Sequence, residues 1–395
     1  MLEPQSVLLF ALLIVVFSAL MWWMLTLGHL ALRVIAAVLS FAVAMLFGVL
    51  AVNKYYGYYQ TWGAAAADLT NAGAAVPQVP ASSLASGALY DSLVKSADLR
   101  LARQQGYTAR LVIAGRRSHL TRQVYIYLPS QYFQPAYKGY RFPVIELIHG
   151  QPGVPQDWIS VMGVTVTFDR LVSAGLARPA VLVMPDANGG MRVSLQCLNQ
   201  VGGPQDLTYL GVDVPNEIAR ILRVQPPGPA WGVAGYSEGG FCAANMALHF
   251  RYRYGFAGVI SGYFRPFDNQ LLHPLRQVSP FGRNRVLEQE NTPLDEVEKL
   301  PAGAVIPQFW LGAGADDRLD VADAEYFRQE LQLWQADVPL TLTPGGGHNM
   351  ATWRPEIGLV LRWMSRGLAL AARKESAARP ITAASVVTRG SPQPG

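Results

Sequence analysis

The chain has 395 residues, of which 51% are hydrophobic and 15% charged, and a formal net charge of +5 at pH 7. This length allows one domain of roughly 300 residues with a large core, in addition to an anchor and a tail. The chain has no Arg/Lys-rich block with interleaved aromatic residues, and its His, Cys and carboxylate residues are not spaced as metal ligands. We therefore expect no nucleic-acid partner, no metal and no cofactor.

Residues 1–60 contain two long apolar segments. Ser6–Leu27 and Val34–Val52 each meet the length of about 20 residues that a helix needs to cross a hydrocarbon core. The pattern predicts a transmembrane helical hairpin that anchors the chain through residues 7–52. A cleaved signal peptide is the less favoured interpretation, because the N-terminal region has no Lys or Arg and carries Glu3.

Few charged residues indicate on which side of the membrane the rest of the chain lies. Arg33, in the connection between the two segments, is expected in the cytoplasm by the positive-inside rule, although Lys54 flanks the other end. We expect the domain that follows to be extracytoplasmic at the cell membrane. Residues 61–95 are rich in Ala and contain Pro77 and Pro80, which predicts a linker that lifts this domain off the bilayer.

Residues 96–371 are predicted to form an α/β domain. Two strand-like runs, Tyr107–Ile113 and Val124–Leu128, are followed by strands that alternate with helical segments. Alternation of this kind indicates a mostly parallel sheet with helices on both faces. Residues 372–395 are polar and contain Pro and Ser, so a disordered tail is expected there.

The most informative motif is Gly-Tyr-Ser-Glu-Gly, with Ser237 at its centre. It follows an apolar run, Ala230–Ala234, and precedes a helix-like segment, Phe241–Phe250. A strand, a sharp turn and a helix form the setting in which G-x-S-x-G exposes a nucleophilic serine in the α/β-hydrolase fold. Ser237 is therefore the predicted nucleophile.

A histidine and an acid follow in the order Ser, Asp, His that this fold uses. His348 lies in a glycine-rich loop and is the predicted general base, since imidazole titrates near neutrality. Asp317 is the predicted carboxylate that orients it, with Asp316 and Asp320 as alternatives.

A strand-like run, Phe142–Ile148, ends in His149-Gly150-Gln151. The backbone amides of Gln151 and Glu238 are the predicted oxyanion hole. His149 is expected to shape the loop rather than to act in catalysis.

Other residues are candidates for the walls of the site. Trp158, just past the proposed oxyanion loop, and Phe264, in a segment that could form a lid, are candidate substrate-binding residues. Cys197 and Cys242 could both approach the site. They are open to two interpretations, a disulfide in an oxidising compartment or two free thiols.

These motifs together resemble the putative-esterase family, which includes esterase D, feruloyl esterases and the mycobacterial mycolyltransferases. The resemblance covers about residues 110–370 and rests on His149-Gly150, the turn at Ser237, the acid near Asp317 and the Gly-Gly-His before Asn349. It implies the α/β-hydrolase fold and a Ser-His-Asp triad. Mycolyltransferases usually carry Glu as the acid, so Asp favours the esterase branch.

The sequence thus predicts a membrane-anchored serine esterase that acts on an acyl ester, with a lipid or cell-envelope ester as an attractive substrate. One alternative is an acyltransferase of the mycolyltransferase type, in which an alcohol replaces water. The other is a non-catalytic envelope-binding protein on a hydrolase scaffold. The oligomeric state does not follow from the sequence.

Overall fold

The first two helices of the chain form a hairpin. The computed structural model of the protein describes residues 2–69, 76, 78, 99–191, 193–267 and 279–378. Helices α1 (Val7–Thr26) and α2 (Leu30–Tyr56) pack against each other and are long and apolar enough to cross a membrane. Their outer surfaces are apolar, with Val7 72% and Leu30 77% exposed. An exposed apolar surface all round a helix is compatible with lipid surroundings.

A single eight-stranded sheet lies at the centre of the remaining chain. In sequence order its strands are β1 (Tyr107–Ala114), β2 (Thr121–Leu128), β3 (Val144–Ile148), β4 (Val181–Pro185), β5 (Gly228–Tyr236), β6 (Tyr254–Ile260), β7 (Gln308–Gly314) and β8 (Leu340–Thr343). Their order across the sheet is β1-β2-β4-β3-β5-β6-β7-β8. Only β2 runs against its neighbours, β1 and β4, and all other pairs are parallel. The predicted mostly parallel sheet is confirmed.

Helices connect the strands. They are α3 (Trp62–Leu69), α4 (Leu99–Gln105), α5 (Asp157–Ser160), α6 (Val164–Ser173), α7 (Asp206–Thr208), α8 (Val214–Ile221), α9 (Glu238–His249), α10 (Arg285–Gln289), α11 (Pro293–Glu298), α12 (Arg318–Leu333) and α13 (Met350–Ala378). A π-helical turn, Tyr209–Asp213, joins α7 to α8, and two 3-10 turns, Ser130–Phe133 and Pro135–Tyr137, follow β2.

The helices cover both faces of the sheet, as the alternating pattern predicts. Along β3, Val144 and Ile148 point into one apolar core with α8, α9 and α12, whereas Ile145 and Leu147 point into a second core with α6 and α13. Because side chains alternate between the two faces of a strand, each strand contributes residues to both cores. Every residue of β3 and β4 is buried, which explains why these strands are almost uniformly apolar in sequence.

Two boundaries differ from the sequence-based expectation. Helix α13 continues to Ala378 and buries Ala372, so the prediction that a disordered tail begins at residue 372 is wrong for residues 372–378. The predicted linker, residues 61–95, begins with a helix, α3. Most of residues 70–95, the middle of the candidate lid (268–278) and residues 379–395 lie outside the described part of the chain.

The two cysteines form a disulfide. Cys197, in the long connection after β4, is bonded to Cys242 on α9, and both are fully buried. The bond closes a loop across a sequence separation of 45 residues. It therefore fixes the connection after β4 to the helix that starts at Ser237.

We predict that the double variant Cys197→Ser/Cys242→Ser unfolds more easily than the native chain. In the chain-entropy account, a disulfide closing a loop of this length stabilises a protein by about 4 kcal/mol. A loss of that size lowers the melting temperature by roughly 2–4 °C per kcal/mol in a domain of this size, as thermal unfolding with and without reductant would measure. Reductant should lower the melting temperature of the native protein and leave that of the double variant unchanged. A native melting temperature insensitive to complete reduction would contradict this prediction.

Candidate active site

Ser237 lies at the sharp turn between β5 and α9. Its backbone angles are φ 55° and ψ −124°, a region that residues other than glycine rarely occupy. A Cβ atom at Gly235 would lie 2.1 Å from the carbonyl oxygen of Gly239, and one at Gly239 would lie 2.1 Å from that of Ile148. Both flanking glycines are thus required, because β3, β5 and α9 approach each other without room for a side chain.

His348 lies beside this serine. Its Nε2 is 2.9 Å from Ser237 Oγ, although 111 residues separate the two in sequence. The imidazole packs edge-on against Trp353 of α13, with ring centroids 4.9 Å apart, and Trp353 in turn stacks on Tyr236. The ring is therefore held in position by the aromatic residues around it.

Two carboxylates face the other imidazole nitrogen. His348 Nδ1 lies 2.7 Å from Asp320 Oδ2 and 3.2 Å from Asp317 Oδ2. Asp317, the residue predicted to be the acid, also caps α12 by accepting a weak hydrogen bond from the amide of Asp320 at 3.4 Å. Asp316, the other candidate, is exposed, and its amide donates to the Gly346 carbonyl 2.8 Å away. The structure therefore brings both Asp317 and Asp320 to the imidazole, with Asp320 closer.

The electrostatics of this pair favour the protonated imidazole. Burial by itself lowers the pKa of His348, but the hydrogen bond and charge of Asp320, followed by the charge of Asp317, outweigh it and raise the pKa above its ordinary value. Burial raises the pKa of Asp320, as does the negative charge of Asp317, while His348 lowers it. The histidine is thus a stronger base than a free imidazole.

The same three side chains are also the one group in the described chain whose ligand atoms could converge on a metal ion. His348 Nδ1 lies at hydrogen-bond distance, 2.7 Å, from the Asp320 carboxylate, so the neutral imidazole carries its proton on Nδ1 and leaves Nε2 to accept the serine proton. The arrangement matches a nucleophile, a base and an orienting acid.

The loop after β3 passes directly beside the nucleophile. A Cβ atom at Gly150 would lie 2.8 Å from the Tyr236 ring and 3.1 Å from Ser237 Cβ. This contact places the next residue, Gln151, near the serine, and the Gln151 side chain donates to the Met191 carbonyl at 2.8 Å. Glu238 is the first residue of α9, so its amide has no acceptor within the helix. The role of the two amides as an oxyanion hole stays a prediction.

His149 is fully buried and shapes this loop. Its Nε2 accepts from the Ala187 amide at 3.1 Å, so Nδ1 is the protonated nitrogen and donates to the Gly150 carbonyl at 2.9 Å. Both nitrogens are occupied by the backbone, as expected for a structural histidine.

Sequence reasoning did not identify a buried polar network beside Ser237. The Glu238 carboxylate accepts hydrogen bonds from Asn188 Nδ2 at 2.9 Å and from the Ser194 hydroxyl, and Asn188 Oδ1 accepts from the Leu195 amide. Burial raises the pKa of Glu238, and the bonds from Ser194 and Asn188 partly lower it. The network fixes the connection after β4 to the start of α9, near the Cys197–Cys242 bond. The one sequence signal was that this connection follows a buried strand.

The two predicted substrate-binding aromatics do not reach the site. Trp158 is completely buried and packs edge-on against Tyr236, and Phe264 is buried and stacks on Phe327 with centroids 4.0 Å apart. Both predictions are wrong, because these side chains belong to the apolar cores.

A small pocket with a cavity volume of about 30 Å³ opens at the serine. Its walls are Gly150, Gln151, Pro152, Tyr236, Ser237, His348, Met350, Trp353 and, from the end of the N-terminal hairpin, Tyr56 and Tyr58. Neither of the last two was predicted to line the site.

Comparison with known proteins identifies the family. The model of the family described as "Putative esterase" matches residues 118–363. An uncharacterised protein of Corynebacterium glutamicum is 24% identical over 274 residues, which are 67% of this chain and 63% of that protein. This chain therefore spans less than two thirds of the relative's length.

Solved structures share the fold. A ferulic acid esterase superposes with a TM-score of 0.56 at 18% identity, covering 67% of this chain and 99% of its own. A substrate-bound fluorophosphonate-binding serine hydrolase of Staphylococcus aureus, FphF, gives 0.54 at 18% identity, with coverage of 66% and 98%. An S-formylglutathione hydrolase of the same organism gives 0.53 at 17% identity, with coverage of 66% and 99%. At these identities the likeness establishes the fold alone.

The geometry predicts that Asp320 controls the imidazole more strongly than Asp317. In the Ser237→Ala background, the pKa of His348 measured by NMR should exceed the unperturbed value of about 6.5. Asp320→Asn should lower it more than Asp317→Asn, because the stronger hydrogen bond and the nearer charge are lost. Asp316→Asn is the matched control and should leave the titration unchanged. Equal shifts for Asp320→Asn and Asp316→Asn would refute this assignment.

Proposed function

We propose that this chain, which belongs to the Putative esterase family, is a serine hydrolase that cleaves acyl esters through Ser237, His348 and the carboxylates of Asp320 and Asp317. The observation that carries the proposal is the continuous chain of contacts from Ser237 Oγ through the imidazole to two carboxylates. A serine hydroxyl is a poor nucleophile until a base accepts its proton, and this arrangement supplies the base.

In the first half of the reaction, Ser237 Oγ attacks the carbonyl carbon of the ester, and its proton moves to His348 Nε2. The carbonyl oxygen becomes an anion, which the amides of Gln151 and Glu238 are proposed to bind. When this intermediate collapses, the bond between carbon and the leaving oxygen breaks. His348 returns the proton to the leaving alcohol, and an acyl-serine remains.

In the second half, His348 takes a proton from water, and the resulting hydroxide attacks the acyl carbon. Collapse of the second intermediate releases the acid, and the proton returns to Ser237. The base must be neutral at the start of each half. The rate should therefore fall as the pH drops through the raised pKa of His348. The carboxylates stabilise the imidazolium that forms in between.

The N-terminal hairpin is proposed to anchor the enzyme in the cell membrane, with the catalytic domain outside. Two apolar helices of sufficient length support the anchor. The buried disulfide supports the orientation, because such bonds persist in oxidising compartments and are rare in the cytosol. Arg33, in the first turn of α2 next to the helix connection, is consistent with a cytoplasmic turn.

We predict that a fluorophosphonate probe labels the folded protein at Ser237 and that Ser237→Ala abolishes labelling, as gel fluorescence and peptide mapping would detect. Asp317→Asn/Asp320→Asn should reduce ester hydrolysis by on the order of 10⁴-fold, the loss known for an orienting carboxylate in an established triad. Each single variant should lose less, because one carboxylate remains at Nδ1. Equal labelling of the native protein and Ser237→Ala would contradict a catalytic role for Ser237.

Orientation can be tested with two reporters fused at residue 395. Alkaline phosphatase, which is active only after export, should be active, and green fluorescent protein, which fluoresces after cytoplasmic folding, should be dark. The opposite pair of results would place the catalytic domain in the cytoplasm. Insertion of a third hydrophobic helix before the reporter is the matched control and should invert both signals.

A further inference from the structure

We propose that the end of the membrane hairpin is a wall of the substrate pocket, so that the enzyme takes its ester from lipids of the bilayer in which it is anchored. This inference rests on the proposed function and names the substrate class for the same site. It assigns Tyr56 and Tyr58 to substrate binding, beside Ser237 and His348.

The hairpin end is fixed to both halves of the active site. The Tyr58 hydroxyl donates to the Pro152 carbonyl at 3.1 Å, next to the proposed oxyanion residue Gln151. On the other side, a Cβ atom at Gly57 would lie 3.2 Å from the amide of Ala351, three residues after His348. The hairpin end thus spans the gap between the oxyanion loop and the histidine loop.

An arginine secures this contact. Arg354 of α13 donates from Nη2 to the Tyr58 carbonyl at 2.6 Å and from Nε to the Val161 carbonyl at 2.7 Å. Burial, together with the negative charge of Asp157, raises the pKa of Tyr58 to about 12, so its hydroxyl remains a donor at neutral pH. The contact is therefore a specific polar interface between hairpin and catalytic domain.

The turn after α2 has its own internal support. Asn53 donates from Nδ2 to the Tyr59 carbonyl at 2.9 Å and accepts from the Tyr59 amide at 2.8 Å. Gly57, with φ 67°, ends the helix in the left-handed conformation that glycine adopts most readily. These bonds fix the turn that carries Tyr56 and Tyr58.

The charges on α2 indicate how deep the pocket lies in the membrane. Its only charged residues, Arg33 and Lys54, are separated by about 32 Å along the axis at 1.5 Å per residue, close to the thickness of roughly 30 Å of a hydrocarbon core. Lys54 then lies at the boundary on the catalytic side, and Tyr56 follows about 3 Å further along the axis. The pocket therefore opens in the headgroup layer, directly next to the hydrocarbon.

The size of the pocket is consistent with a substrate that remains in the bilayer. At about 30 Å³ it is far smaller than the roughly 300–1,000 Å³ of typical ligand sites and cannot enclose a whole two-chain lipid. Only the ester and its immediate neighbours enter, while the lipid chains stay among other lipids. The ester could join a fatty acid to glycerol or a short acyl group to a headgroup hydroxyl, since both lie in this layer.

The test uses the full chain in nanodiscs of phosphatidylcholine and phosphatidylglycerol. Three probes are hydrolysed in parallel: dioleoyl phosphatidylglycerol, the same lipid with a butyryl ester on its terminal headgroup hydroxyl, and water-soluble p-nitrophenyl acetate. Mass spectrometry of the lipids identifies which ester is cleaved. The ratio of kcat/KM for the cleaved lipid to that for the soluble ester is the readout, because it is independent of the fraction of active enzyme.

We expect one of the two lipid probes to be cleaved and the double variant Tyr56→Ala/Tyr58→Ala to lower this ratio at least tenfold, the equivalent of about 1.4 kcal/mol of lost binding in the transition state. Tyr58→Phe, which removes only the hydroxyl bonded to Pro152, should have a smaller effect. Tyr55→Ala is the matched control, because Tyr55 belongs to the same aromatic segment but is 68% exposed and does not line the pocket. Its ratio should equal that of the native protein.

Two results would overturn the inference. One is that neither lipid is cleaved by an enzyme that hydrolyses the soluble ester. The other is that the double variant and Tyr55→Ala have the same ratio. Fluorophosphonate labelling of each variant reports whether its active site is folded. If the native protein is not labelled by the fluorophosphonate and does not hydrolyse p-nitrophenyl acetate, the proposed esterase function itself is wrong.

Discussion

The close approach of three backbone segments at Ser237 is the constraint on which the site depends. Strand β3, strand β5 and helix α9 meet where Gly235 and Gly239 leave no side chain between them. The serine is held in a backbone conformation that costs on the order of 1–3 kcal/mol. Burial of α9, which is buried from Glu238 to Leu248, more than offsets that cost. Packing of the core therefore determines where the reactive hydroxyl points.

The same packing fixes the other parts of the site relative to the serine. The loop at Gly150 follows directly from β3, whose Ile148 carbonyl is in contact with the α9 turn. On the other side, the Glu238 carboxylate and the Cys197–Cys242 bond both join α9 to the connection after β4. A buried carboxylate with two hydrogen-bond donors is rigid, because leaving either bond unmade would expose the group to a desolvation penalty. We infer that the network and the disulfide have the same effect, which is to prevent the connection after β4 from moving away from the nucleophile.

Much of the fold followed from short-range pattern, whereas the details of the site did not. Buried strands such as β3 and β4 and the glycines around Ser237 leave local signatures, so these elements could be predicted. The choice among Asp316, Asp317 and Asp320 could not, because all three lie on one turn and only the distances to His348 distinguish them. Trp158 and Phe264 were misjudged because an aromatic residue near a site in sequence is as well suited to the core as to a pocket. The contact between Tyr58 and Arg354 joins residues 296 apart, and no local pattern encodes it.

That last contact changes how the N-terminal segment is understood. A tether with a long linker would raise the local concentration of substrate and leave the pocket unaltered. Here Tyr58 contacts Pro152 directly, so the segment proposed to anchor the chain also lines the pocket. Under that proposal, position in the bilayer and choice of substrate are one property of the molecule, because a displacement of the hairpin would open the wall between the Gly150 loop and His348. Under the proposed anchoring, the pocket is complete only while the hairpin is in place, and that dependence would restrict hydrolysis to the membrane surface.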